Sequence, residues 1–280
     1  MNAFADDLRP PTDREFRLFQ KLVYEHAGIH LAPVKRALLS GRLSRRIREL
    51  GLKTFGAYYD FVRESGTEER TELIDRITTN ETSFFREPRH FDFLSRKLLP
   101  EWPSGSRPLR IWSAGCATGE EPYSIAMTVR EVLGDAPIEI TATDLSTRAL
   151  RDAAAGVWPM SRARQIPTAL LRKYMWRGTG PNNGKFAASP PLRESITFAR
   201  FNLNDENDWS RICASFDVVF CRNVLIYFDR ESKARVINHL IDSLSPGGHL
   251  FVGHAESLAM VTGLTCVEPT IYTKSRQVRA

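Results

Sequence analysis

Residues 109–254 alternate between two periodicities, and this alternation constrains the fold more than any other feature. Short apolar runs read "LRIWSAG" (109–115), "IEITATD" (138–144), "SITFARFNL" (195–203), "FDVVFCRN" (216–223) and "GGHLFVGH" (247–254). Between them lie stretches with helical spacing: "EEPYSIAMTVREVLG", "STRALRDAAAG" and "RESKARVINHLIDSL". Strands separated by helices build right-handed βαβ units and hence a doubly wound, mainly parallel sheet. "LTCVEPTIYTKS" reads as a closing antiparallel hairpin at the sheet edge. One stretch breaks the alternation. Residues 168–195 are rich in Gly, Pro and Asn, and "RGTGPNNGKF" predicts a tight hairpin inside a small β insert.

The chain ahead of residue 80 is different. Residues 13–76 carry helical spacing throughout. Phe16, Phe19, Leu22 and Val23 form one stripe, closed by Gly28. Leu39, Leu43, Ile47 and Leu50 form another at spacings of four, four and three, closed by Gly51. These stripes predict a small all-helical N-terminal domain over 1–80. Pro88 and "LLPEWPSGSRP" mark 81–108 as a linker, with the sheet domain over 109–280. Net charge is +6, and one window accounts for all of it: Lys35, Arg36, Arg42, Arg45, Arg46, Arg48 and Lys53 against Glu49. A localised basic face implies an acidic partner, although a solvated helix face has the same composition.

Composition removes several function classes. No apolar run approaches the ~18 residues of a membrane span. The first residues, "MNAFADDLRPPTDREF", carry acids where a secretory signal would be basic and then apolar, so a cytoplasmic protein is expected. Cys116, Cys213, Cys221 and Cys266 form no C-x-x-C pair and have no accompanying histidine cluster. Neither a metal site nor a disulfide framework is expected, and most of these thiols read as small buried side chains.

The ligand site of such a sheet lies beyond the carboxyl ends of its strands. The first strand runs into "SAGCATGEEPYS", where Gly115 and Gly119 permit tight turns and the next helix starts with Glu120 and Glu121. The spacing is G-x-x-x-G, not the dinucleotide G-x-G-x-x-G, and the paired acids would repel a pyrophosphate. The same acids can serve simply as helix-dipole partners. Asp144 ends the second strand, where a carboxylate can accept from both ribose hydroxyls. A ligand with a ribose, an ammonium and no pyrophosphate is S-adenosylmethionine.

"TTNETSFFRE", "GCATGEEPYSIA", "FNL" and "CRNVLIYFD" occur in this order and at spacings that resemble the chemotaxis receptor methyltransferases, the CheR family. The resemblance runs from the helical domain to "GHAESL". It implies a class I methyltransferase-like sheet and methyl transfer from S-adenosylmethionine, leaving S-adenosylhomocysteine. The implied acceptors are glutamate side chains on the cytoplasmic helices of chemoreceptors. By motif position it implies that Asn80, Thr82 and Arg86 contact the cofactor, with Asp144 at the ribose, Asn202 and Leu203 around the adenine, and Arg222 and Asn223 after the fourth strand. Of the acids in "GEE", Glu121 is favoured over Glu120.

Under this reading Arg86 and Tyr227 orient the incoming carboxylate, while Arg42, Arg45 and Arg46 dock the glutamate-rich receptor bundle. The insert is expected to accept a receptor C-terminal peptide as an added strand. Tyr227 also reads as a core aromatic, Leu203 as plain core, and Asn202 and Asn223 as strand-end turn residues. Nucleic acid as substrate is disfavoured, because "CRNVLIYFD" lacks the [DN]-P-P-[FYW] pattern of amino-methyltransferases acting on bases. A non-catalytic S-adenosylmethionine sensor and a methyltransferase for another substrate remain as alternatives.

Overall fold

The computed structural model describes residues 8–103, 107–212, 215–258 and 261–275; Cys213 lies outside them. The chain divides into two compact units. One comprises residues through Thr79 together with Tyr227–Ser232; the other comprises Asn80–Ile226 and the chain from Lys233 onwards.

The first unit is helical. Helices α1 (Asp13–Ala27), α2 (Arg36–Glu49), α3 (Phe55–Glu64) and α4 (Thr67–Ile77) are joined by short turns. Helix α1 starts in a capping box: the Thr12 hydroxyl accepts from the Glu15 N–H, and the Glu15 carboxylate accepts from the Thr12 N–H at 2.7 Å. Gly28, at φ 67°, ends the helix in a left-handed turn. The predicted stripes form the core except for Leu50, which is only half-buried at the C-cap of α2. Phe16, Phe19, Leu22 and Val23 are buried, as are Leu39, Leu43 and Ile47 on α2. Phe19 stacks on Tyr58 at 6.0 Å and meets Phe55 edge-on. The late segment completes this unit. Phe228 forms an antiparallel bridge with Ile29, the His30 N–H donates to the Tyr227 carbonyl at 2.8 Å, and the Tyr24 hydroxyl donates to Asp229 at 2.7 Å.

The second unit opens with α5 (Pro88–Phe93) and continues through β1 (Leu109–Ala114), α6 (Glu120–Leu133), β2 (Ile138–Asp144), α7 (Thr147–Ala155) and β3 (Val157–Pro159). Then come α8 (Thr168–Tyr174), β4 (Met175–Arg177), β5 (Lys185–Ala188), α9 (Pro190–Glu194), β6 (Ile196–Arg200) and α10 (Glu206–Trp209). It closes with β7 (Phe216–Cys221), most of α11 (Arg230–Ser243), β8 (Leu244–Val252), β9 (Leu264–Glu268) and β10 (Ile271–Lys274). The main sheet has the order β6-β2-β1-β7-β8-β10-β9. Its first five strands run parallel and the final hairpin antiparallel, as the alternation predicts. Among the described residues no helix is long and apolar enough to cross a membrane.

Two features differ from the expectation. The insert is a three-stranded antiparallel sheet, β3-β5-β4, that starts at Val157 rather than near residue 168. A three-residue strand ending in proline has too little period to register in sequence. The stretch 81–108 is also not a bare connector. Pro88 starts α5 rather than breaking a helix, because a missing N–H is harmless in the first turn. Phe84, Phe91, Phe93, Leu94 and Leu99 all enter the sheet core. Phe91 stacks on Phe220 of β7, which stacks on Phe251 of β8 at 4.4 Å. Burying each such ring contributes roughly 1.5–3 kcal/mol.

Candidate active site

The order of β1 and its neighbours fixes where a ligand can sit. Strand β1 has β2 on one side and β7 on the other, so the chain reverses its winding direction there, and loops diverge at the carboxyl ends. The loop after β1 is pinned to β2. The N–H groups of Gly115 and Cys116 donate to the Thr143 carbonyl at 2.8 and 2.9 Å. Asp144 then ties two loops together, one oxygen accepting from the Ala117 N–H and the other from the Ser146 N–H, both at 2.8 Å. Any other residue at Gly115 (φ 88°) would be strained, because a Cβ there would lie 2.4 Å from the Val224 side chain and force it to shift. Non-glycine residues at positive φ gather in the same loops: Phe85, Glu87, Ala117 and Asn223. Such strain persists only where surrounding contacts over-determine it.

Glu120 and Glu121 open α6 and turn to different partners. Glu120 is buried; the Thr118 hydroxyl donates to it at 2.7 Å and Arg162 pairs with it at 3.2 Å. Glu121 accepts from the Ser113 hydroxyl at 2.7 Å and from Arg222 at 3.1 Å. Burial pushes the Glu121 carboxyl up, against the pull of the Arg222 charge. The Arg222 guanidinium, 2% exposed, also pairs with Glu87 at 3.1 Å, donates to the Arg86 carbonyl and lies over the Phe91 ring. Burial would raise Glu87, but the Arg222 charge and the His254 N–H outweigh it and hold that carboxyl below its ordinary range. Burial and the same arginine hold the neighbouring His90 imidazole down at about 4.

The segment 80–87 reaches these groups along its length. Asn80 donates to the Ser146 hydroxyl at 3.3 Å, beside the cap of α7. The Thr82 carbonyl accepts from Arg162 at 2.6 Å, and Arg86 donates to the Glu81 carbonyl at 3.2 Å. Phe84 packs against Trp158 and Phe186 of the small sheet, and Phe85 against Phe91, so both rings anchor the segment. Asn223 holds a left-handed turn whose N–H donates to Glu256 at 2.8 Å. Asn202 is buried, with its side-chain oxygen accepting from the Asn204 N–H at 3.0 Å. The Leu203 carbonyl accepts from the Trp209 indole at 2.9 Å.

The structure therefore brings Asn80, Thr82, Arg86, Glu120, Glu121, Asp144, Arg222 and Asn223 onto linked loops of one unit, with Asn202 and Leu203 in the loop after β6, next to β2. Tyr227 belongs to the helical unit, where its carbonyl accepts from His30 and Lys35 lies over its ring. Of the proposed docking arginines, Arg45 faces solvent beside Glu49. Arg46 forks onto buried Glu69, and Arg42 donates to the carbonyls of Ile77 and Thr78 at the end of α4.

Sequence reasoning missed Arg162, Ser113 and Glu256. Glu256 is fully buried and accepts from the N–H groups of Asn223, Gly253 and Ile226; its only signal was its place in "GHAESL". Arg162 sits in an irregular stretch where nothing in the pattern marks it.

Sequence comparison matches residues 80–272 to "CheR methyltransferase, SAM binding domain" and residues 14–78 to "CheR methyltransferase, all-alpha domain". The chain belongs to the CheR methyltransferase family. The break between the two matched ranges falls at the Thr79–Asn80 division of the chain, although the second range also includes Tyr227–Ser232 of the helical unit. Pseudomonas aeruginosa chemotaxis protein methyltransferase 2 is 42% identical over 266 residues, covering 94% of this chain and 93% of that protein. The Escherichia coli chemotaxis protein methyltransferase is 36% identical over 269 residues, covering 95% and 92%. The Borreliella burgdorferi protein of the same name is 36% identical over 284 residues and 98% of both chains.

As a CheR methyltransferase, the chain is an enzyme that uses S-adenosylmethionine. The donor set suits that cofactor: acids end β2 and begin α6, fitting hydroxyls and an ammonium, and no glycine repeat is shaped for a pyrophosphate.

Proposed function

We propose that this enzyme methylates glutamate side chains on the cytoplasmic helices of chemoreceptors, forming methyl esters, and that it works in the cytoplasm. The observation that carries the reading is the end-to-end match to proteins named chemotaxis protein methyltransferase, rather than to a shared cofactor module alone.

When bound, S-adenosylmethionine supplies a methyl group on a positively charged sulfur. The acceptor is a carboxylate with a pKa near ~4.3, already ionised at neutral pH, so the chain need not supply a general base. What its residues must do is align the acceptor and exclude water. In this reading Asn80, Thr82, Arg86, Asp144, Asn202, Leu203, Arg222 and Asn223 hold the cofactor. Glu121 is favoured over Glu120 for its ammonium. Arg222, fixed between Glu121 and Glu87, sets the positions of the Glu121 carboxylate and the Arg86 backbone. Arg86 and Tyr227 orient the acceptor carboxylate, Arg86 with its planar fork of donors.

The basic face of α2 docks the acidic receptor bundle, and exposed Arg45 and Arg48 are its most available charges. Arg42 and Arg46 contribute to the same potential from within the helical unit. A receptor C-terminal peptide adds as a strand to the small sheet, whose edges are β3 and β4.

The deciding experiment is transfer of labelled methyl from S-adenosylmethionine to receptor cytoplasmic fragments. Signal is expected on wild-type fragments and none where the acceptor glutamates are Gln. Cofactor binding without transfer to any fragment would favour a sensing module instead. Tyr227→Phe is expected to slow transfer with cofactor affinity kept; an unchanged rate removes Tyr227 from the mechanism. Arg45→Glu with Arg48→Glu should weaken transfer most at low salt. A flat binding isotherm with receptor tail peptides would remove the strand-addition contact.

A further inference from the structure

Glu87, His90 and His254 place one carboxylate oxygen and two imidazole nitrogens within 4.8 Å of one another. None of the three is among the residues assigned above to the cofactor or the acceptor. The Thr270 hydroxyl lies 2.7 Å from His90 Nε2 and 2.5 Å from the Pro269 carbonyl, and so holds the ring by one nitrogen. With the hydroxyl proton directed at the Pro269 carbonyl, Nε2 carries the ring proton and Nδ1 is a bare lone pair. Nδ1 faces Glu87 Oε2 at 3.5 Å and has no hydrogen-bond partner, while that oxygen is itself paired with Arg222 at 3.1 Å. A buried imidazole lone pair with no partner is unfavourable, and a metal ion held with the neighbouring carboxylate would satisfy it.

We propose that Glu87, His90 and His254 form a binding site for a divalent transition-metal ion of the zinc class. Two imidazoles and a carboxylate are a donor set such ions accept, with a fourth position left for water. His90, 1% exposed, is the fixed ligand, oriented by Thr270 as metal-bound histidines are by an outer hydrogen bond. Glu87 is preset as well: its backbone is held at φ 57° and its Oε1 accepts from the His254 N–H at 3.2 Å. The His254 side chain is 63% exposed and its Nδ1 lies 4.0 Å from Glu87. Ligand atoms around a tetrahedral zinc ion stand about 3.4 Å apart, so closure needs only a small swing of this exposed ring. Arg222 shares the Glu87 carboxylate at 3.1 Å, but Glu121 on its other side offsets its charge. Sequence spacing conceals the set, because His254 follows β8 while Glu87 and His90 open α5.

The test uses the full chain, free of any affinity tag and stripped with chelator, titrated with Co2+ and then with Zn2+ in competition. One saturable equivalent with visible absorption, bleached by Zn2+, is expected, together with a rise in Tm on adding Zn2+. His254→Ala removes an exposed ligand without disturbing the core and should weaken binding at least about tenfold; Thr270→Val, which frees the His90 ring, should weaken it by about tenfold. Equal Co2+ affinity in wild type and His254→Ala would mean an adventitious ion only and would overturn the site. So would the absence of a saturable signal, or a His90 ring found by nitrogen NMR to carry its proton on Nδ1.

Discussion

Arg222 and Glu15 show how one buried side chain can hold several others. Arg222 joins Glu121, Glu87 and the Arg86 carbonyl, and removing one partner of a buried ion pair leaves the other uncompensated. Arg222→Ala should therefore lower stability by about 3–5 kcal/mol in denaturant titration. Arg222→Lys keeps the charge but not the fork, and should weaken S-adenosylhomocysteine binding about tenfold by calorimetry. Glu15 accepts from Thr12, from both ends of the Arg9 guanidinium and from the Gly56 N–H at 2.9 Å. Burial works against its ionisation, but these bonds outweigh it and hold its carboxyl down at about 2. Its folded pKa is depressed, so its stabilisation is complete above the ordinary value of 4.5 and fades as pH falls towards 2. Glu15→Ala should lower Tm at pH 7 by the equivalent of about 1–2 kcal/mol, with the gap to wild type narrowing over that acid range. Neither network could be read in the sequence. The partners of Arg222 lie on two segments far apart in sequence, residues 86–87 and the first turn of α6, and a charged residue carries no periodic signal of what it will meet.

Elements were far more legible, because burying one face imposes a period. Leu39, Leu43 and Ile47 of the predicted stripe are buried, while Leu50 is only half-buried at the end of α2, and the alternation of strands and helices holds in the structure. The failures came where period was short or masked, at β3 with three residues and at α5 behind Pro88. Glycines give the sharpest tests at this scale. Gly41 lies inside α2 with nothing within 4 Å of an added Cβ, so Gly41→Ala should raise stability by about 0.5–1 kcal/mol. Gly115 ends β1 at φ 88° with Val224 in the way. Gly115→Ala should destabilise by about 1–3 kcal/mol and lower S-adenosylhomocysteine affinity more than Gly41→Ala does, read by thermal melts and calorimetry.

At the scale of the molecule, sequence pattern separated a helical part from a sheet part but could not see that the helical unit is discontinuous. Tyr227–Ser232 reads locally as the end of a strand–loop–helix passage, and only its packing on α1 and the following turn assigns it elsewhere. A fragment ending at Thr79 lacks the Phe228 bridge, the Tyr227 carbonyl and the Asp229 acceptor. It should show helical circular dichroism but melt less cooperatively and at lower temperature than the same unit in the intact chain, and a peptide spanning 227–232 added in trans should raise its midpoint. The order of biosynthesis gives the same feature another meaning. Domains usually mature on the ribosome in the order they emerge. Here the first unit to appear waits for a segment made after four of the seven main-sheet strands, so a truncated translation product would carry an unfinished helical unit.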